Sequence, residues 1–255
     1  MVGNPYATSD LCSFPDNSKT RRPLFRWVEL LVAIAIIGIL FLIVAPFRRT
    51  ATGAARRMQC SNNLKMIGLA MHNYELAYGS LPPAYTVDAE GHRLHSWRTL
   101  LLPFLEQTTL HGKIDFSKPW NDPLHDDVRD VPVSLFTCPD AKQRKGLTTY
   151  LAVVSPNSCL QPSKRVAFAD IKDGLGNTVL VFEADAEQAV HWMSPADADP
   201  ASFVSLSMQS TAAHSGGGNA VFADGSIRFL SRNMTKEIRE AMVTTDGGEL
   251  IGEAP

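Results

Sequence analysis

The chain has 255 residues, about 1.7 times a ~150-residue domain, which leaves room for one domain plus an appendage or for two small domains. Its composition (45% hydrophobic, 20% charged, 17 Gly and 16 Pro) excludes disordered, collagen-like, coiled-coil and disulfide-dense classes. A net charge of −2 gives no electrostatic footprint for nucleic acid at the level of the whole chain, and no nucleic-acid partner is expected.

The charge is unevenly placed. Residues 1–57 hold eight basic groups (Lys19, Arg21, Arg22, Arg26, Arg48, Arg49, Arg56, Arg57) against Asp10, Asp16 and Glu29, a balance of +5, so residues 58–255 carry −7. Between the first four and the last four of those basic groups lies the most apolar stretch of the chain, WVELLVAIAIIGILFLIVAPF at 27–47, with 18 consecutive uncharged residues at 30–47. An α-helix of about 20 apolar residues crosses the hydrocarbon core of a bilayer, whereas buried core helices and signal-peptide apolar regions are shorter. The expected organisation is a basic leader at 1–26, a transmembrane helix at 27–47, a stalk helix at 48–80 and a head at 81–255.

Residues 25–40, FRWVELLVAIAIIGIL, resemble the cleavage and methylation segment of type IV pilins and type II secretion pseudopilins. The resemblance implies cleavage between Leu24 and Phe25, methylation of Phe25, and an assembly role for Glu29 as the fifth mature residue. Leu24 stands where those families have Gly, and Arg26-Trp27 replace the usual Thr-Leu, so this chain is expected to keep its leader.

Beyond the span, Cys60, Leu64, Ile67, Met71, Tyr74 and Tyr78 recur at spacings of three and four, which predicts one apolar helix stripe over 50–78. Asn62, Asn63, Lys65, His72 and Glu75 fall mostly on the other side, with His72 solvated. Gly79 and Pro82-Pro83 end the helix. In the head, residues 95–110 read as a helix kinked at Pro103. Candidate strands lie at 131–137, 148–154, 178–184, 219–223 and 226–230, the last two forming a hairpin around Asp224-Gly225, and a short helix covers 235–243. The fold class is α+β: a long N-terminal helix, half transmembrane and half stalk, packed on an antiparallel sheet as in pilins.

Successive blocks extend the likeness through the head: RRMQCSNNLKMIGLAMHNYELAYGSLPPAY (56–85), SWRTLLLPFLEQ (96–107), FTCPD (136–140), TTYLAVV (148–154) and DGLGNTVLVFEA (173–184). Together with His214 followed after nine residues by Asp224-Gly225, they resemble the domain-of-unknown-function 1559 family of pilin-like envelope proteins. The resemblance implies a membrane-anchored, pseudopilin-like protein with no established chemistry. It also places Cys60 and Cys138 in matching blocks, from which a disulfide between stalk and head is expected. Cys138–Cys159 pairing and buried free thiols remain open, and Cys12 belongs to the cytoplasmic side.

No C-x-x-C pair, nucleotide loop or nucleophile elbow is present, so no enzyme activity and no metal site are expected. His92 and His95 form only an H-x-x-H in a loop, and His214 is expected to serve a structural role against the turn that contains Asp224. Glu183, Asp185 and Glu187, with Asp197 and Asp199, offer oxygen ligands at alternate positions that would suit Ca²⁺, but without EF-hand spacing they read as solvated loop acids. The expected function is structural, as a pseudopilin-like subunit in a secretion- or pilus-like system, with pilin-like subunits or further copies of itself as partners. The alternative is a membrane-tethered binding module outside any filament. The expected location is the inner membrane, single-pass, with the N-terminus cytoplasmic and the head outside.

Overall fold

The structure, a computed structural model, describes residues 23–139, 145–162, 164–209, 214 and 216–248, with the side chains at 23–26, 42–52 and 206–209 left out. The leader expectations for 1–22, Cys12 among them, lie outside the described residues. The chain divides into two compact units, Met1–Thr50 and Ala51–Pro255.

Helix α1 spans Pro23–Tyr78. In the first unit every side chain described at 27–41 is exposed, Glu29 included. Among the described residues no helix is long and apolar enough to cross a membrane. In the second unit the predicted stripe is borne out: Cys60, Leu64, Ile67, Met71 and Tyr74 are buried in one core, while Tyr78 stays 57% exposed. The helix stops where expected, with the Gly79 N–H returning to the Glu75 carbonyl at 2.7 Å.

After α1 come β1 (Tyr85–Val87), β2 (Arg93–Ser96), α2 (Trp97–Leu101), α3 (Thr108–His111), α4 (Asp126–Arg129), β3 (Leu147–Thr148), β4 (Tyr150–Ala152), β5 (Val179–Glu183), β6 (Val190–His191), α5 (Pro200–Gln209), β7 (Gly217–Phe222), β8 (Ile227–Ser231) and α6 (Lys236–Ala241). The main sheet is antiparallel, in the order β4-β5-β7-β8; β1-β2 and β3-β6 form small antiparallel pairs. The fold is therefore α+β, with antiparallel sheets as expected.

Alternation along the strands divides the core into two layers. Tyr150, Ala152, Val221 and Ala223 join the core that contains the α1 stripe. Leu151, Val153, Phe182, Ala220 and Phe222 join Phe203 and Val204 of α5 and Met242 and Val243 after α6. Both faces of the sheet are thus covered, and β5 is buried along its whole length. Helix and sheet approach closely at Gly68, where a Cβ would stand 2.6 Å from Val221 Cγ2.

Several local expectations are corrected. The helix over 95–110 begins only at Trp97, because the Ser96 side chain caps it by accepting the Arg98 N–H, and Pro103 restarts it as a 3₁₀ turn, Leu102–Leu105. The strand over 131–137 is a 3₁₀ turn, Ser134–Phe136, whose core residues Val133 and Phe136 are three apart rather than two. Helix α5 escaped the sequence reading. Asp199 starts it by accepting the Ser202 N–H at 2.6 Å.

Candidate functional site

Four separate segments deliver one polar side chain each to a single buried point in the second unit. Cys60 comes from the inward stripe of α1 and Cys138 from the segment after the Ser134–Phe136 turn. Glu183 is the last residue of β5, and His214 bridges to Gly217 at the start of β7. One ligand-type atom from each of the four lies within 4.8 Å of the other three, and all four residues are buried. Cys60 Sγ and Cys138 Sγ are 2.8 Å apart, and both thiols are free, whereas a disulfide measures about 2.05 Å. His214 Nε2 lies 3.3 Å from Glu183 Oε1.

The surrounding groups hold this set in place. Asn219 donates to Glu183 Oε2 from its side chain at 3.2 Å and from its backbone N–H at 3.4 Å, which turns Oε1 toward His214. Asn63 Nδ2 donates to the Thr137 carbonyl at 3.1 Å and to Tyr150 Oη at 3.4 Å, tying the Cys138 segment to the helix. Gly218 permits β7 to lie against β5 here, since a Cβ would stand 2.8 Å from the Glu183 carbonyl oxygen.

The electrostatics follow from the packing. Hydrogen bonding with Cys138 and then with Glu183 raises His214 to a pKa of about 10, which favours the imidazolium. Burial pushes Glu183 upward, but His214 and the thiols outweigh it and hold the carboxyl below its ordinary value. Cys138 is raised by its hydrogen bond with Cys60 and then by burial; Tyr150 is raised first by burial. The donor set of two sulfurs, one nitrogen and one oxygen is chemically able to hold a thiophilic cation, and its sulfurs are near enough to bridge on oxidation.

Of the expected site residues, the structure brings Cys60 and Cys138 together as a bridge would require. Cys159 is buried in the same core as a free thiol, raised to about 12 by burial. His214 is not on the turn with Asp224, which corrects that expectation: Asp224 Oδ1 accepts the Ser226 N–H at 2.8 Å, and Gly225 takes a φ of +81° at the tip of the β7–β8 hairpin. Six residues of β7 separate the two halves of the signature, about 20 Å of extended chain, so His214 and Asp224-Gly225 mark opposite ends of one strand. The side chains of Leu24 and Phe25 lie outside the described residues.

Of the acidic groups read as solvated, Glu187 and Asp199 are exposed as expected, and the other three are corrected. Glu183 and Asp185 are buried. Asp197 is fully enclosed, accepting from both Arg98 Nη atoms (2.6 and 3.4 Å), from Trp97 Nε1 at 3.1 Å and from the Ala152 N–H at 2.9 Å. With Asp199 spent on α5, these acids do not assemble into an oxygen-ligand set for Ca²⁺ among the described residues. His72, expected in solvent, packs on Phe168 with ring centroids 4.5 Å apart. Asn63 was missed as a site residue, and Glu183, weighed only as an oxygen ligand among loop acids, was not placed with the cysteines. The available signal was that Asn63 lies three residues after Cys60, on the same helix face, and that Glu183 continues the inward pattern of a strand.

In comparisons with known proteins, the model of a family described as protein of unknown function (DUF1559) matches residues 49–207. The match takes in Cys60, Cys138 and Glu183 and ends before His214. No curated protein and no solved structure matches the chain.

Proposed function

The chain belongs to the DUF1559 family, and from that premise we propose that it is a membrane-anchored, pseudopilin-like protein of the cell envelope with a structural or assembly role. Residues 27–47 form the anchor, the N-terminus is cytoplasmic, and the second compact unit stands outside the inner membrane as the head. The observation that carries the reading is the run of exposed Trp, Val, Leu, Ile and Phe side chains at 27–41, an apolar surface that a water-facing helix would not maintain. The sequence continues that run to 47 and brackets it with arginines. Glu29, exposed and four residues after Phe25, is the group that would meet a positive partner during assembly.

Among its described residues the head supplies no catalytic constellation to this reading. Its buried cluster joins the second part of α1 to the sheet within the second unit, which suits a structural subunit. A second reading, a tethered binding module outside any filament, is favoured by Leu24 in place of the processing Gly.

Photocrosslinking from a reactive amino acid at Ile34, in membranes of cells expressing the full chain, separates the two. Adducts to other pilin-like chains or to a second copy support assembly. Adducts to lipid alone support the tether, and a chain found wholly in the soluble fraction refutes both.

A further inference from the structure

We propose that Cys60, Cys138, Glu183 and His214 form a buried structural zinc site that clasps α1 to the sheet. The inference is independent of whether the chain enters a filament. It rests on geometry: four donors of the types zinc takes, from segments far apart in sequence, converge within 4.8 Å of one another out of contact with solvent. Zinc binds thiolate sulfur at about 2.3 Å and imidazole nitrogen or carboxylate oxygen at about 2.0–2.2 Å in a tetrahedron. Those bonds place a nitrogen and an oxygen ligand about 3.3 Å apart, the separation found between His214 Nε2 and Glu183 Oε1. They place two sulfurs about 3.8 Å apart, so the thiols, at 2.8 Å, move apart by about 1 Å on binding.

The donor chemistry selects the ion. Two thiolates and an imidazole favour zinc over calcium or magnesium, which take oxygen ligands. All four positions are filled by protein, the arrangement of a structural site rather than a catalytic one. The outer shell is also in place: Asn219 fixes the far oxygen of Glu183, and Asn63 anchors the segment that carries Cys138. On binding, the two thiols lose their protons and His214 binds as neutral imidazole, the released protons passing to solvent. Two thiolates, one carboxylate and Zn²⁺ leave a net charge of −1.

A Cys60–Cys138 disulfide would consume both sulfur donors, yielding two protons and two electrons to an oxidant, so bridge and zinc site exclude each other. The full chain, purified in detergent with a non-thiol reductant and stripped by a chelator, is titrated with Zn²⁺ and, separately, with Co²⁺. The expected result is one zinc retained per chain after desalting and, with cobalt, tetrahedral d–d bands with thiolate-to-cobalt charge transfer. The charge transfer weakens in Cys60→Ser and Cys138→Ser, and Asn219→Ala lowers zinc affinity roughly 10–100-fold. The cobalt spectrum of the unmodified chain reads the site even where a variant fails to fold. Two results overturn the proposal: a folded, reduced chain that retains no zinc and gives no cobalt–thiolate band, or non-reducing peptide maps of chain taken from membranes that show Cys60 linked to Cys138.

Discussion

His95 is buried, with Nε2 donating to the Lys118 carbonyl at 2.8 Å and the rings of Phe116 and His125 at 5.0 and 5.4 Å. Burial holds its pKa below the ordinary 6.5, so the folded chain resists its protonation. The sign follows: the neutral ring's contribution is complete above about pH 6.5 and is lost as pH falls through the lowered value. Thermal unfolding followed from pH 7.5 to 5 should show melting falling faster in the unmodified chain than in His95→Gln; parallel curves would contradict the assignment. At Asp197 the prediction concerns a buried pair. Asp197→Ala leaves the Arg98 guanidinium enclosed without its counter-charge and should cost about 3–5 kcal/mol in denaturant unfolding. Neither role was legible in the sequence. Asp197 meets a partner 99 residues away, and local spacing carries no trace of such a contact. The α1 stripe, by contrast, was legible because its members meet one surface at the period of the helix itself.

Among elements, the strands that were foreseen are β4 within 148–154, β5, and the β7–β8 pair around Asp224-Gly225. The two-layer core was only half foreseen. α5 has a weak local signal, and without it the second face of the sheet reads as open. The 131–137 segment misled because Val, Leu and Phe suit strands intrinsically, while the packing of Val133 and Phe136 decided for a turn. The tight helix–sheet approach gives an element-scale prediction. Gly68→Ala drives a methyl into Val221 and should cost about 1–3 kcal/mol, part of it recovered when Val221→Ala is added. A double-mutant cycle in urea measures the coupling, and strictly additive costs would show that the two surfaces are not in contact. The candidate site has the same character. Its cysteines were visible as a pair in family blocks, whereas the part played by Asn63 and the meeting of Glu183 with the thiols became visible only once helix, sheet and loop were brought together.

For the whole molecule, the composition averages two unlike parts: a basic, apolar N-terminal stretch and an acidic head whose sheet is sandwiched between helices. The head is knit to the second part of α1 through a continuous apolar core and through the Cys60 cluster, so the helix is a working member of the fold. The most direct test expresses the full chain with different epitope tags at its two ends, extracts membranes with alkaline carbonate, and treats intact spheroplasts with protease. A membrane anchor at 27–47 with the head outside keeps the chain in the alkali-resistant pellet, with the C-terminal tag destroyed and the N-terminal tag protected. Release of the chain by alkali, with both tags protected in spheroplasts, would contradict that placement.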